Sequence, residues 1–227
     1  MDVQSSIHPN EDIAKVNHDT SLKYLFVVVM GVSGTGKTTL GSALSKALDI
    51  PYVEGDALHP RENVEKMSNG HPLTDGDRQP WLELIRKTAV RYTIESPIEA
   101  RSDKKLVGVV ISCSALKRSY RELLRGRVDS LPLPDPVPSD ISTPSWKVPQ
   151  LQTCFVYIKG SRDLILKRME ARVGHYMKAS MLDTQLAVLE SPEGEDGVIV
   201  VDNEASTNDQ VKIALEGLKS FVGEGLF

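Results

Sequence analysis

Five short apolar runs are spread along the chain: Tyr24–Met30, Tyr52–Val53 with its neighbours, Leu106–Ser112, Thr153–Lys159 and Val198–Asp202. They read as strands buried on both faces. Helical patterns alternate with them. After the first run, Leu40, Ala43, Leu44, Ala47 and Leu48 fall on one face of a helix. Strands and helices in strict alternation predict an α/β fold, with a five-stranded parallel sheet between two helical layers. Ligands of such sheets bind at the carboxyl ends of the strands. That edge receives the turn beginning at Gly31, then Glu54 and Asp56, Cys113 and Ser114, Gly160, and Asp202.

Two segments break the rhythm. Residues 1–20 are polar and aperiodic and read as a disordered N-terminal extension. Residues 131–149 carry Pro132, Pro134, Pro136, Pro138, Pro144 and Pro149, which forbids helix and central strand. They read as an exposed, passive insertion within one domain spanning residues 21–227. The net charge of −4 leaves no basic footprint for nucleic acid, so any anion site is local. The longest apolar run, Leu25 to Met30, is far too short to cross a bilayer, and Asp2, Glu11 and Asp12 argue against a secretory leader. Cys113 and Cys154 lie in apolar runs without metal-ligand spacing and read as buried free thiols. The expectation is a reduced, cytoplasmic protein that uses neither membrane nor nucleic acid.

The chemistry enters with the turn after the first strand. Gly31-Val32-Ser33-Gly34-Thr35-Gly36-Lys37-Thr38 spells G-x-x-x-x-G-K-[ST] between strand and helix, the context in which this motif binds phosphates. Gly31, Gly34 and Gly36 let the backbone wrap so that its N–H groups, including those of Ser33, Thr35 and the following Thr39, face one anion. The helix N-terminus adds partial positive charge. Lys37 brings a full charge to the β- and γ-phosphates of ATP, and the Thr38 hydroxyl can ligate Mg²⁺.

A second constellation, Glu54-Gly55-Asp56-Ala57-Leu58-His59-Pro60-Arg61, follows the second strand. An alcohol-phosphorylating enzyme needs a carboxylate to orient the acceptor hydroxyl and take its proton. Asp56 is placed for this, although it could equally cap the helix starting near Pro60. Glu54 is within reach of Mg²⁺ through water. His59 and Trp81 read as packing residues, and Pro80 as the first residue of a helix. Arg61, Arg78 and Arg121 stand on three loops of one edge and could hold an anionic substrate. Arg118, Arg121 and Arg125 share a helical face, with Arg125 read as solvated. Further on, Ser161 caps a helix carrying Arg168 and Arg172 ahead of Gly174. Two arginines beside a hinge suit a lid, over about 168–182, closing on the transferring phosphate.

These motifs, taken with Asn63-Val64-Glu65-Lys66-Met67, Gly70-His71-Pro72-Leu73-Thr74-Asp75, Asp77-Arg78-Gln79-Pro80-Trp81-Leu82, Cys113-Ser114-Ala115-Leu116-Lys117 with Tyr120-Arg121, and Gly174-His175 ahead of Met181-Leu182, resemble gluconokinase in order and spacing. The resemblance covers residues 22 to 216. It implies the three-layer αβα P-loop NTPase fold with a small mobile lid, related to adenylate and shikimate kinases. It also implies ATP-dependent phosphorylation of D-gluconate to 6-phosphogluconate in the pentose phosphate pathway, and a homodimer. It places Asp56 at the acceptor hydroxyl and Arg168 and Arg172 at the ATP phosphates, with Lys37, Asp56 and Arg172 as the catalytic set. Two departures stand out. The family's usual Asp before Gly-Asp is Glu54 here, and the third strand ends in Ser112-Cys113-Ser114 without the metal-side Asp of many phosphate-loop enzymes.

The residues alone leave the acceptor open. Three arginines would also suit shikimate or a nucleoside monophosphate, though an uncharged sugar would not need them. A switch GTPase is excluded, because neither Asp-x-x-Gly nor Asn-Lys-x-Asp occurs. Lys37, Thr38 and Asp56 together argue against a non-catalytic nucleotide-binding module.

Overall fold

The computed structural model describes residues 22–94, 106–127, 151–171 and 179–223. The N-terminal extension, the Pro-rich insertion, Arg172 and the Gly174 hinge lie outside the described residues. Along the chain run β1 (Lys23–Met30), α1 (Lys37–Leu48), β2 (Tyr52–Glu54), α2 (Arg61–Ser68), α3 (Asp75–Ile94), β3 (Leu106–Ser112), α4 (Arg118–Arg125), β4 (Gln152–Lys159), α5 (Arg162–Glu170), α6 (Ala179–Val188), β5 (Val198–Asp202) and α7 (Thr207–Val222). The five strands form one parallel sheet in the order β2-β3-β1-β4-β5. All five predicted runs are present, with β2 bounded at Tyr52 and Glu54.

Side chains of a strand alternate between faces, and β1 shows how that alternation builds the two cores. Leu25, Val27 and Val29 pack with Leu40, Leu44 and Leu48 of α1 and Ala214, Leu218 and Val222 of α7. Phe26, Val28 and Met30 pack with Trp81, Leu82 and Ile85 of α3 and Leu123 and Leu124 of α4. The continuous apolar run of β1 is therefore the signature of a strand covered on both sides, every residue from Leu25 to Met30 being inaccessible to solvent. A third cluster, Val32, Leu116, Ile165, Met169 and Leu182, lies beneath the glycine-rich turn and ties it to α5 and α6. Because β1 sits between β3 and β4, the chain leaves it at the point where strand order reverses, the place where ligands of such sheets bind.

Two local expectations change. Helix α3 begins at Asp75, five residues before Pro80, which lies inside it. Its start is set by a reciprocal cap instead. The Asp77 N–H donates to Thr74 Oγ1 at 3.2 Å, and the Thr74 N–H donates to Asp77 Oδ2 at 2.7 Å. Asp56 does not cap α2, whose N-terminus at Pro60 has no side-chain cap. The Ser161 cap does form, its Oγ accepting from the Leu164 N–H.

Candidate active site

The turn after β1 takes the conformation its glycines permit. Gly34 and Gly36 have φ of 84° and 98°, in the left-handed region that strains any other residue. A Cβ on Gly34 would also collide with Met169. Gly36 is the N-cap of α1 and offers no side chain to the first-turn N–H groups, which leaves those donors for an anion. Thr35 Oγ1 donates to the Val32 carbonyl at 2.8 Å and Lys37 Nζ to the same oxygen at 3.0 Å, pinning the loop from within. Distant residues hold it from outside. The Ser33 N–H donates to Gln185 Oε1 at 2.7 Å, and Asn203 Nδ2 donates to the Thr35 carbonyl at 2.8 Å.

Beside this loop lies the end of β2. Glu54 stands in register with Ser112 of β3, and its carboxylate accepts three hydroxyl donors: Ser112 on Oε1, with Tyr52 at 2.7 Å and Thr38 at 2.8 Å on Oε2. Burial pushes the Glu54 carboxyl up. The three donors and the nearby Lys37 charge outweigh it and hold the group below the ordinary carboxylate value. Glu54 is therefore ionised beside Thr38. The Thr38 proton is committed to Glu54, so the oxygen's lone pairs remain for a cation. Thr38 and Glu54 are hard oxygen donors, the chemistry that Mg²⁺ prefers. Among the described residues no cluster of three or more His, Cys, Asp or Glu could cage a metal, so these two groups fit an ion that arrives with phosphate oxygens.

Gly55 then turns the chain so that Asp56 emerges at the sheet edge. A Cβ on Gly55 would overlap the Ser112 carbonyl oxygen. Its N–H donates to Ser112 Oγ at 3.1 Å, and its carbonyl accepts from Trp81 Nε1 at 2.7 Å. Asp56 follows in a single 3₁₀ turn (Gly55–Leu58), exposed, its backbone carbonyl accepting from the His59 N–H and its carboxylate making no hydrogen bond among the described residues. His59 stacks on Trp81 with ring centroids 4.0 Å apart, and burial holds its imidazole below the usual value. Both are packing residues, as their sequence setting suggests. Asp56, Lys37 and Arg78 all act on the buried Cys113 thiol, which burial pushes up to about 12. Three charges thus surround the end of β3, and the thiol itself is inert.

The predicted arginines divide. Arg78 is half-buried, donates to the Leu73 carbonyl, and faces the same region as Asp56 and His59. Arg61 is 88% exposed and pairs with Glu65 one turn along α2. Arg168 is exposed on the last turn of α5. Arg121 requires a correction. It is fully buried, and its guanidinium is spent in a bidentate pair with Glu195 (2.6 and 3.0 Å) and on the carbonyls of Ala115 and Leu116. It fastens α4 to the segment after α6, with four of its five N–H groups engaged and no surface left to meet a substrate. Arg125 is likewise not solvated. Its side chain is 5% exposed, pairs with Glu122 and Glu195 and lies over the Phe155 ring.

Sequence reasoning missed the Lys117–Asp75 bridge, whose Nζ donates to both carboxylate oxygens at 2.7–2.8 Å with Tyr120 donating to the same group. It also missed Gln185 and Asn203. Each is joined to the loop across more than 150 residues, and no local pattern marks them.

Replacing Arg121 by Met should destabilise the protein by about 3 kcal/mol, because Glu195 loses its bidentate buried partner and keeps only the longer contact with Arg125. The Arg121 hydrogen bond, against burial and with help from Arg125, holds the Glu195 carboxyl below its ordinary value. That stabilisation is present above the ordinary carboxylate pKa and fades as pH falls through the lowered value, so the variant should lose less stability on acidification. Urea titrations at two pH values measure both effects. A variant as stable as the parent but unable to bind substrate would restore Arg121 to the site.

No protein-family model matches the chain. Among proteins of known name it is 44% identical to a gluconokinase of Gluconobacter oxydans, over 82% of this chain and 88% of that one. It is 38% identical to a probable gluconokinase of Schizosaccharomyces pombe, over 89% and 91%. The chain belongs to the gluconokinase family. A solved gluconokinase of Sinorhizobium meliloti superposes with a TM-score of 0.65 at 39% identity, covering 88% of this chain and 93% of that one. Membership makes the chain a kinase of the αβα phosphate-loop class. Within this gluconokinase-family chain, the loop, Glu54 and Asp56 all stand on one sheet edge.

Proposed function

We propose that this chain transfers the terminal phosphoryl group of ATP to a hydroxyl of D-gluconate. The observation that carries the reading is Asp56. It is held out by the Gly55 turn at the edge where the phosphate loop begins, and its carboxylate makes no hydrogen bond among the described residues. The loop amides and Lys37 hold the ATP phosphates in line with the acceptor and oppose the charge that develops on transfer. Asp56 accepts the acceptor's hydroxyl proton as the oxygen attacks. Arg78 offers a cation to the gluconate carboxylate, with Arg61 at the rim. Arg168 and, by resemblance, Arg172 contact the ATP phosphates. Mg²⁺, brought with ATP, would sit at Thr38 with Glu54 beyond it and supply neutralisation of phosphate charge. A homodimer working in the cytoplasm completes the proposal, on the strength of the family resemblance. No helix among the described residues is long and apolar enough to cross a membrane.

The test is ADP formation from Mg²⁺-ATP with gluconate, shikimate and AMP offered separately. Gluconate should support turnover and yield 6-phosphogluconate. Turnover on AMP or shikimate with none on gluconate would overturn the assignment of substrate.

A further inference from the structure

We propose that Tyr52 is a positioning residue for the metal–ATP complex, its hydroxyl setting the reach of the Glu54 carboxylate toward Thr38. The inference rests on the reading of Glu54 as the metal-side carboxylate. Glutamate carries one more rotatable bond than aspartate and must be held if its carboxylate is to stay in one place. Three donors from three elements hold it. Ser112 of β3 takes Oε1, while Tyr52 of β2 and Thr38 of α1 share Oε2. Ser112 is itself fixed by the Gly55 N–H. The Tyr52 ring is fixed by packing on α1 at Gly41, where a Cβ would come within 2.5 Å of Cε2. α1 therefore leaves a slot for the ring, and a phenylalanine would fill it as well. The hydroxyl adds nothing to that packing and serves the polar cluster. Oε2 is thus drawn to the point where Thr38 meets it. Without the Tyr52 hydroxyl the carboxylate would keep Ser112 and Thr38 but lose the second donor that fixes Oε2, so its position at Thr38 would be less sharply set.

The probe is Mn²⁺, titrated into the protein–ADP complex and followed by electron paramagnetic resonance. Tyr52→Phe should weaken Mn²⁺ binding about fivefold, the scale of one hydrogen bond to a partly exposed charge. ADP affinity without metal and KM for gluconate should not move. In a Glu54→Asp background, whose shorter side chain falls short of the phenol, Tyr52→Phe should cost nothing further. Unchanged Mn²⁺ affinity in Tyr52→Phe, while Glu54→Gln weakens it, would overturn the role of Tyr52 alone. Parental affinity in Glu54→Gln would remove the metal-side reading of Glu54 as well. An equal loss in the Glu54→Asp background would show that Tyr52 acts through something other than this carboxylate. None of these outcomes depends on whether gluconate is the acceptor.

Discussion

Lys37→Met should lower kcat/KM by about 10³-fold or more, since a full positive charge beside the transferring phosphoryl group is removed from a preorganised site. The side chain that remains is long enough to fill the space of the lysine stem, so the loss is electrostatic. Lys37 Nζ donates to the Val32 carbonyl, which accepts from Thr35 Oγ1 as well. The loop therefore retains both ties from Thr35 to the Val32 carbonyl, and its glycine geometry is unaffected. The variant should fold, bind ADP with modestly reduced affinity, and fail in the chemical step. Single-turnover measurements with saturating Mg²⁺-ATP separate binding from transfer. Turnover close to the parent's would defeat the assignment of the loop as the phosphoryl-transfer site.

Asp56→Asn should lower kcat by about 10²- to 10⁴-fold and leave ATP affinity almost unchanged. The substitution keeps size and shape and removes only the capacity to accept a proton as a base. Asp56 does not cap α2 and its carboxylate makes no hydrogen bond among the described residues, so little structure depends on its charge. The neighbouring Glu54 differs in this respect. Its carboxylate is fixed by three hydroxyls, and Glu54→Gln should act on the metal requirement. Comparing the two variants for kcat, for KM of gluconate and for Mg²⁺ dependence distinguishes base from metal-side acid. If Asp56→Asn lost nucleotide binding in parallel with kcat, its role would be structural.

The strands and the phosphate loop were legible because their causes are local. A strand buried on both faces must be apolar through its centre, and β1, β3 and β4 are. The loop needs glycine where φ is positive, and the motif carries it there. Asp56 was legible for a related reason, since a carboxylate two residues past a short strand has few ways to avoid the sheet edge. The start of α3 was misread because Pro80 suggested a first turn, while the Thr74–Asp77 cap five residues earlier sets it. Arg121 was misread because a basic residue near a strand end looks the same whether it meets a substrate or a buried glutamate. Its partner, Glu195, lies 74 residues away.

The amino-acid order alone determined the layered α/β architecture, the anion-binding loop and the acid beside it, because each depends on residue types within one turn or strand. Tertiary structure alone decided which charges are free for chemistry and which are consumed in holding the fold. Arg121 pairs with Glu195 and Arg125 with Glu122 and Glu195, Glu54 is aimed by Tyr52, Thr38 and Ser112, and the loop is braced by Gln185 and Asn203. The availability of a charge depends on what folding brings within hydrogen-bond distance of it, and for most of these groups that partner lies far away along the chain.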